Sequence, residues 1–167
     1  MKYYKILDEE ENHYGFQYRT GLNVDTNEFD PLPACRGGMF YASRDILAFL
    51  YYGCWLREVT IPDGVDVVEV NSGNSQKFKS PSIILGEREL IDIEVIERLI
   101  NEGADVTAKN NEAVRWASDN GHTDVVTLLI EHGADVTADN NFAIRWASKN
   151  GHTATVKLLL EHGAELD

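Results

Sequence analysis

The sequence predicts an α+β domain followed by a short all-α stack of helix pairs. Three observations carry that prediction. A 30-residue unit recurs in the second half, β-rich runs without any period fill the first half, and the composition is globular, with 43% hydrophobic and 26% charged residues. A chain of 167 residues suffices for one compact domain or two small ones. Its apolar content excludes a disordered, collagen-like or low-complexity chain.

Residues 1–90 are read as one small α+β domain. The run Tyr3–Leu7 reads as a first strand, since it lacks the apolar stretch of a signal peptide. Further strand-like runs are Tyr14–Arg19, Met39–Ala42, Leu56–Ile61, Val65–Val70 and Pro81–Leu85. One helix is expected over Ser43–Tyr52, capped by Ser43 with Asp45 favourably placed in its first turn. Gly, Asn and Pro clusters at 21–27, 31–38, 62–64 and 71–76 read as turns, and the acidic run Asp8-Glu9-Glu10-Glu11 as a solvated turn. The most apolar segment, Ile46–Leu56, is about half the ~20 residues that span a bilayer, so no membrane partner is expected. Cys35 and Cys54 follow no metal-ligand spacing and form no disulfide framework, which favours a reducing, intracellular compartment.

Residues 91–167 are organised by the repeat. The segment from Asn111, NEAVRWASDNGHTDVVTLLIEHGADVT, and that from Asn141, NFAIRWASKNGHTATVKLLLEHGAELD, are identical at 17 of 27 positions. Ile93–Thr107 matches the second half of the same unit. The division is therefore a half repeat at 91–110 and full repeats at 111–140 and 141–167. Ala113, Val114, Ala117 and Ser118 have the spacing of a short helix with a small packing face. Gly121 ends it, and Thr123 is placed to cap the next. Val125, Val126, Leu128, Leu129 and Ile130 form the apolar side of a second helix, which Gly133 terminates. A helix pair of this size must stack on a neighbour to bury its apolar face. The half repeat is expected to be completed by the preceding domain. With no polar capping repeat after Gly163-Ala164, the final helix Thr155–His162 is expected to be partly exposed or to touch a partner.

The segment Glu112–Val136, with its Ala-x-x-Gly-His break, Val-Val-x-x-Leu-Leu helix and Gly-Ala-Asp-Val end, resembles an ankyrin repeat. Departures are Glu112-Ala113 and Phe142-Ala143 for Thr-Pro, Arg115 and Arg145 for the helix-starting His, and a period about three residues below the usual ~33. Those shortened connections suggest abbreviated turns in place of β-hairpin fingers. The R-W-A-S-x-N-G-H variant resembles ankyrin proteins of giant DNA viruses of amoebae, as do Gly37–Tyr41, Tyr52–Arg57 and Ile83–Glu87 in the first domain. The resemblance implies a protein-binding module that acts in the cytoplasm of a host cell or in the virion.

Candidate partner-binding residues follow from that resemblance: Trp116, Asp119, Trp146, Lys149, Arg115 and Arg145. Two indoles one repeat apart, about 10 Å in stacked helix pairs, would make a hot spot. Their plainer reading is packing between successive helices, and that of the arginines is bonding to carbonyls or acidic residues of neighbouring turns. His122 and His132 stand ~15 Å apart along one helix, too far to share a metal, and no metal is expected.

Fifteen basic against 28 acidic residues give a net charge of −13, which repels nucleic acid. Residues 91–167 hold −8 of it, which suggests a protein partner with a basic surface. The alternative is enzymatic. Arg19, Tyr41 and Glu87 occur in an order that resembles ADP-ribosyltransferase-like domains, and that resemblance implies NAD as cofactor, with the repeats selecting the target. A structural virion component, paired through its C-terminal helix, is a further reading.

Overall fold

A computed structural model describes residues 2–33, 37–72 and 75–166. The chain divides into two compact units, residues 1–46 with 52–91, and residues 47–51 with 92–167.

Among the described residues the first unit holds nine strands: β1 (Tyr3–Leu7), β2 (Asn12–His13), β3 (Phe16–Gln17), β4 (Gly21–Val24), β5 (Met39–Tyr41), β6 (Trp55–Thr60), β7 (Val68–Ser72), β8 (Ser75–Ser80) and β9 (Ser82–Leu90). They form an antiparallel sheet in the order β1-β6-β9-β4, a three-stranded sheet β5-β8-β7, and the β2-β3 hairpin. Leu7, Tyr18, Met39, Tyr41, Val59, Phe78, Ile83 and Leu85 make one buried cluster, drawn from β1, β5, β6, β8, β9 and the Tyr18 segment. Two hydrogen bonds between Tyr4 and Ala42 tie β1 to the end of β5.

Several expectations are corrected here. The 14–19 run splits across a hairpin whose turn holds Tyr14 and Gly15 at positive φ. The turn expected at 21–27 contains β4, and the loop expected at 71–76 opens into β8. The helix expected over 43–52 is a 3₁₀ helix over Ile46–Tyr52. Ser43 donates its hydroxyl to the Lys2 carbonyl while its own carbonyl accepts from the Ile46 amide at 3.2 Å, and Asp45 accepts from the Gln76 amide. Within the acidic run, Glu11 is buried, in a bidentate ion pair with Arg57 at 2.6–2.7 Å. Gly53 is required by close approach, since a Cβ there would stand 2.1 Å from the Leu7 carbonyl oxygen. Cys54 is a free thiol, and Cys35 lies outside the described residues.

The second unit is helical: α1 (Ile93–Asn101), α2 (Ala108–Asp119), α3 (Thr123–Glu131), α4 (Ala138–Lys149) and α5 (Thr153–Glu161). The pairs α2-α3 and α4-α5 are antiparallel hairpins, with α2 packed on α4, and α3 lying between α1 and α5. Asp92 caps α1 by accepting from the Val95 amide at 2.9 Å. Val114, Ala117, Val126, Leu129, Ile144, Ala147 and Leu159 form its dry interior. Leu160 on α5 is half exposed. Residues 47–51 join this unit beside α2, where the Lys109 ammonium donates to the Tyr51 hydroxyl at 3.1 Å. Among the described residues no helix is long and apolar enough to cross a membrane.

Candidate partner-binding face

Helical periodicity divides α2 and α4 into two faces. Ala113, Val114 and Ala117 point inward, as do Ala143, Ile144 and Ala147. The opposite face therefore carries Glu112, Arg115, Trp116 and Asp119 on α2, and Phe142, Arg145, Trp146 and Lys149 on α4. Near the start of each element three residues take the left-handed conformation, Lys109-Asn110-Asn111 in α2 and Asp139-Asn140-Asn141 in α4, at φ between 53° and 59°. A left-handed turn is unfavourable for L residues, and Asn tolerates it best. Here Asn111 gains a compensating bond, its Oδ1 accepting from the Asp135 amide at 2.8 Å, and Asn141 does the same for Glu165 at 3.1 Å. Asp105 and Asp135 each accept from the amide and hydroxyl of the Thr two residues on, closing the turns before α2 and α4.

Both indoles are half-buried, so each packs and also presents surface. Trp116 rests against the His122 ring at 5.2 Å, and Trp146 against Phe142 at 5.4 Å. The Lys149 ammonium sits 3.9 Å above the Trp146 ring. Arg115 is 13% exposed and holds the repeats together. It bonds Glu112 at 2.5 Å, the Lys109 carbonyl at 3.2 Å and Asp139 at 2.7 Å, and stacks over Phe142. Arg145 is exposed, with one long bond of 3.5 Å to the Asp139 carbonyl. Asp119 joins the repeats through its carbonyl, which accepts from Asn150 and His152 at 2.9 Å, and its carboxylate, which accepts from Asn150 at 2.8 Å. Sequence reasoning missed the parts played here by Phe142, Asp139 and Asn150. The signal for Phe142 was that it replaces Glu112 in a repeat identical to the preceding one at 17 of 27 positions.

His132, His152 and His162 bond backbone carbonyls, whereas the His122 ring packs on Trp116. His132 and His162 donate Nδ1–H to the Leu128 and Leu158 carbonyls at 2.9 Å. His122, and not Thr123, occupies the N-cap position of α3, and Thr123 instead pairs its hydroxyl with that of Thr155 at 2.7 Å.

In the first unit the three residues of the enzymatic alternative are dispersed by exposure. Tyr41 is 3% exposed, with ring contacts to Tyr3 and Phe78, and burial pushes its hydroxyl up to about 12. Arg19 and Glu87 are exposed. Arg57 bonds both Thr20 and Gly86, which brings the backbones beside Arg19 and Glu87 together, while Tyr41 is enclosed in the core cluster.

The family profile described as ankyrin repeats in three copies matches residues 89–167. An ankyrin repeat protein of Acanthamoeba polyphaga mimivirus is 33% identical over 129 residues, covering 74% of this chain and 63% of its own length. A mimivirus protein described only as uncharacterised is 33% identical over 128 residues, covering 74% of this chain and 93% of its own. The chain is an ankyrin-repeat protein. It spans 38% of another mimivirus ankyrin protein, 34% identical over 118 residues, so some of these ankyrin relatives are much longer. The matched region begins four residues before α1 and takes in all five helices, and ankyrin repeats as a family bind other proteins.

Proposed function

We propose that this chain is a binding protein of giant-virus type that engages another protein through the face of α2 and α4, inside the host cell or in the virion. One observation carries the reading. Two half-buried indoles recur on the outward face of stacked helices, where they combine anchoring area with a polar handle. Of the candidate residues, Trp116, Trp146, Arg145 and Lys149 are available to a partner, whereas Arg115 and Asp119 hold the repeats in register. The relatives' mimivirus origin supports the host-cell or virion setting.

The test is a capture experiment with the full chain and Trp116→Ala/Trp146→Ala. Loss of captured proteins by the double variant, with its helical circular dichroism retained, is the expected result. Capture of every protein at wild-type strength would remove this face from the account.

A further inference from the structure

The net charge of the repeat region is unevenly placed. The elements α2 and α4 carry four basic and three acidic side chains, whereas α1, α3 and α5 carry two basic and five acidic. Connecting segments hold the other acidic residues of 91–167 and no basic ones. The three carboxylates of α2 and α4 are already engaged. Glu112 and Asp139 both bind Arg115, and Asp119 accepts from Asn150. Among the described residues, neither Arg145 nor Lys149 has a carboxylate partner.

Two differences between the repeats contribute: Phe142 stands where the preceding repeat has Glu112, and Lys149 where it has Asp119. Where Arg115 finds Glu112 three residues earlier, Arg145 finds Phe142. The first exchange takes from Arg145 the carboxylate that Arg115 finds on its own helix and adds a half-buried ring next to Trp146. The face thus offers two uncompensated cations among three aromatic side chains, Trp116, Phe142 and Trp146. Charges screen over about 8 Å at physiological ionic strength, so a docked segment meets these cations more strongly than the carboxylates of the outer helices.

We infer that this face receives an acidic segment of the partner protein, its carboxylates on Arg145 and Lys149 and an apolar side chain between the indoles. The inference rests on the reading of α2 and α4 as the binding surface, and names the chemistry that surface selects. It differs from the basic partner suggested by the charge of the region as a whole.

A random peptide library displayed on phage, selected against the full chain, tests both. Enrichment of sequences with Asp or Glu beside an aromatic or aliphatic residue is expected. Their binding should fall about tenfold or more in Arg145→Glu/Lys149→Glu, two exposed positions whose substitution leaves the fold intact. Enriched basic or neutral peptides that are lost in Trp116→Ala/Trp146→Ala would overturn the acidic segment and keep the face. Peptides that bind both double variants at full strength, or no enrichment at all, would overturn both.

Discussion

Arg57 directs each of its nitrogens to an acceptor inside the first unit: the Glu11 carboxylate, the Thr20 hydroxyl and the Gly86 carbonyl. A buried pair is weak evidence for net stability, but removing one partner strands the other charge. Glu11→Gln should therefore lower the unfolding free energy by about 3 kcal/mol, measured by urea denaturation. A Glu11→Gln/Arg57→Met double variant should recover part of that loss. Lys5 is also buried, 3% exposed, donating to the Phe40 carbonyl at 2.8 Å with its ammonium 4.5 Å from the Tyr18 ring centroid. Desolvation pulls its amine down to about 7. An unfolded lysine titrates near 10.5, so between those pH values the unfolded chain holds the extra proton and stability rises with pH. The urea midpoint should be higher at about pH 9 than at about pH 6.5, and Lys5→Met should abolish that rise. An unchanged rise in the variant would place its origin elsewhere. Residues of this kind explain what was illegible in the sequence. In β4 the polar Asn23 is buried because its side chain serves Arg19 and Gly21, while Leu22 and Val24 are 52% and 55% exposed. That inverts the hydrophobic alternation by which strands are recognised, and β4 was read as a turn.

Among elements, the two repeats act as each other's control. Gly121 has φ 71°, and a Cβ there would lie 2.5 Å from the His152 ring, whereas Gly151 at φ 77° has open space around it. Both Gly→Ala changes strain a left-handed backbone by about 1 kcal/mol. Only Gly121→Ala also displaces His152 from the Asp119 carbonyl, so it should lower the thermal midpoint more than Gly151→Ala. Arg115→Ala should likewise destabilise the helical unit by about 1–2 kcal/mol, and Arg145→Ala by under about 0.5 kcal/mol, in denaturant unfolding followed by helical signal. Equal effects would show that the Asp139 and Glu112 bonds contribute little. The helices themselves were legible, because small and branched apolar residues recur at helical spacing in both copies. Their start points were not. The left-handed triplets are anchored by the Asn111 and Asn141 bonds to the following turns, which a linear pattern does not contain.

For the molecule as a whole, the excess of acidic side chains sets its colloidal behaviour, and light scattering should show a solubility minimum near pH 4.7, where net charge vanishes. Family membership was legible at this scale because a 30-residue period repeats a whole supersecondary unit. The sheets of the first unit offered no such redundancy. Strand β8, with its wholly buried Lys79 and flanking serines, takes its place from the strands beside it and not from its own composition. The left-handed triplets also have a consequence for how such a scaffold evolves. Through Asn111 and Asn141 they tie the start of each helix to the amide of the segment that follows its helix pair. Inserting even one residue between Thr107 and Glu112 would draw Asn111 off its Asp135 anchor and unhook adjoining rungs. A change of length in that turn would cost the stack its register, whereas an exchange on the outer face, such as Phe142 for Glu112 one repeat earlier, leaves that anchor in place.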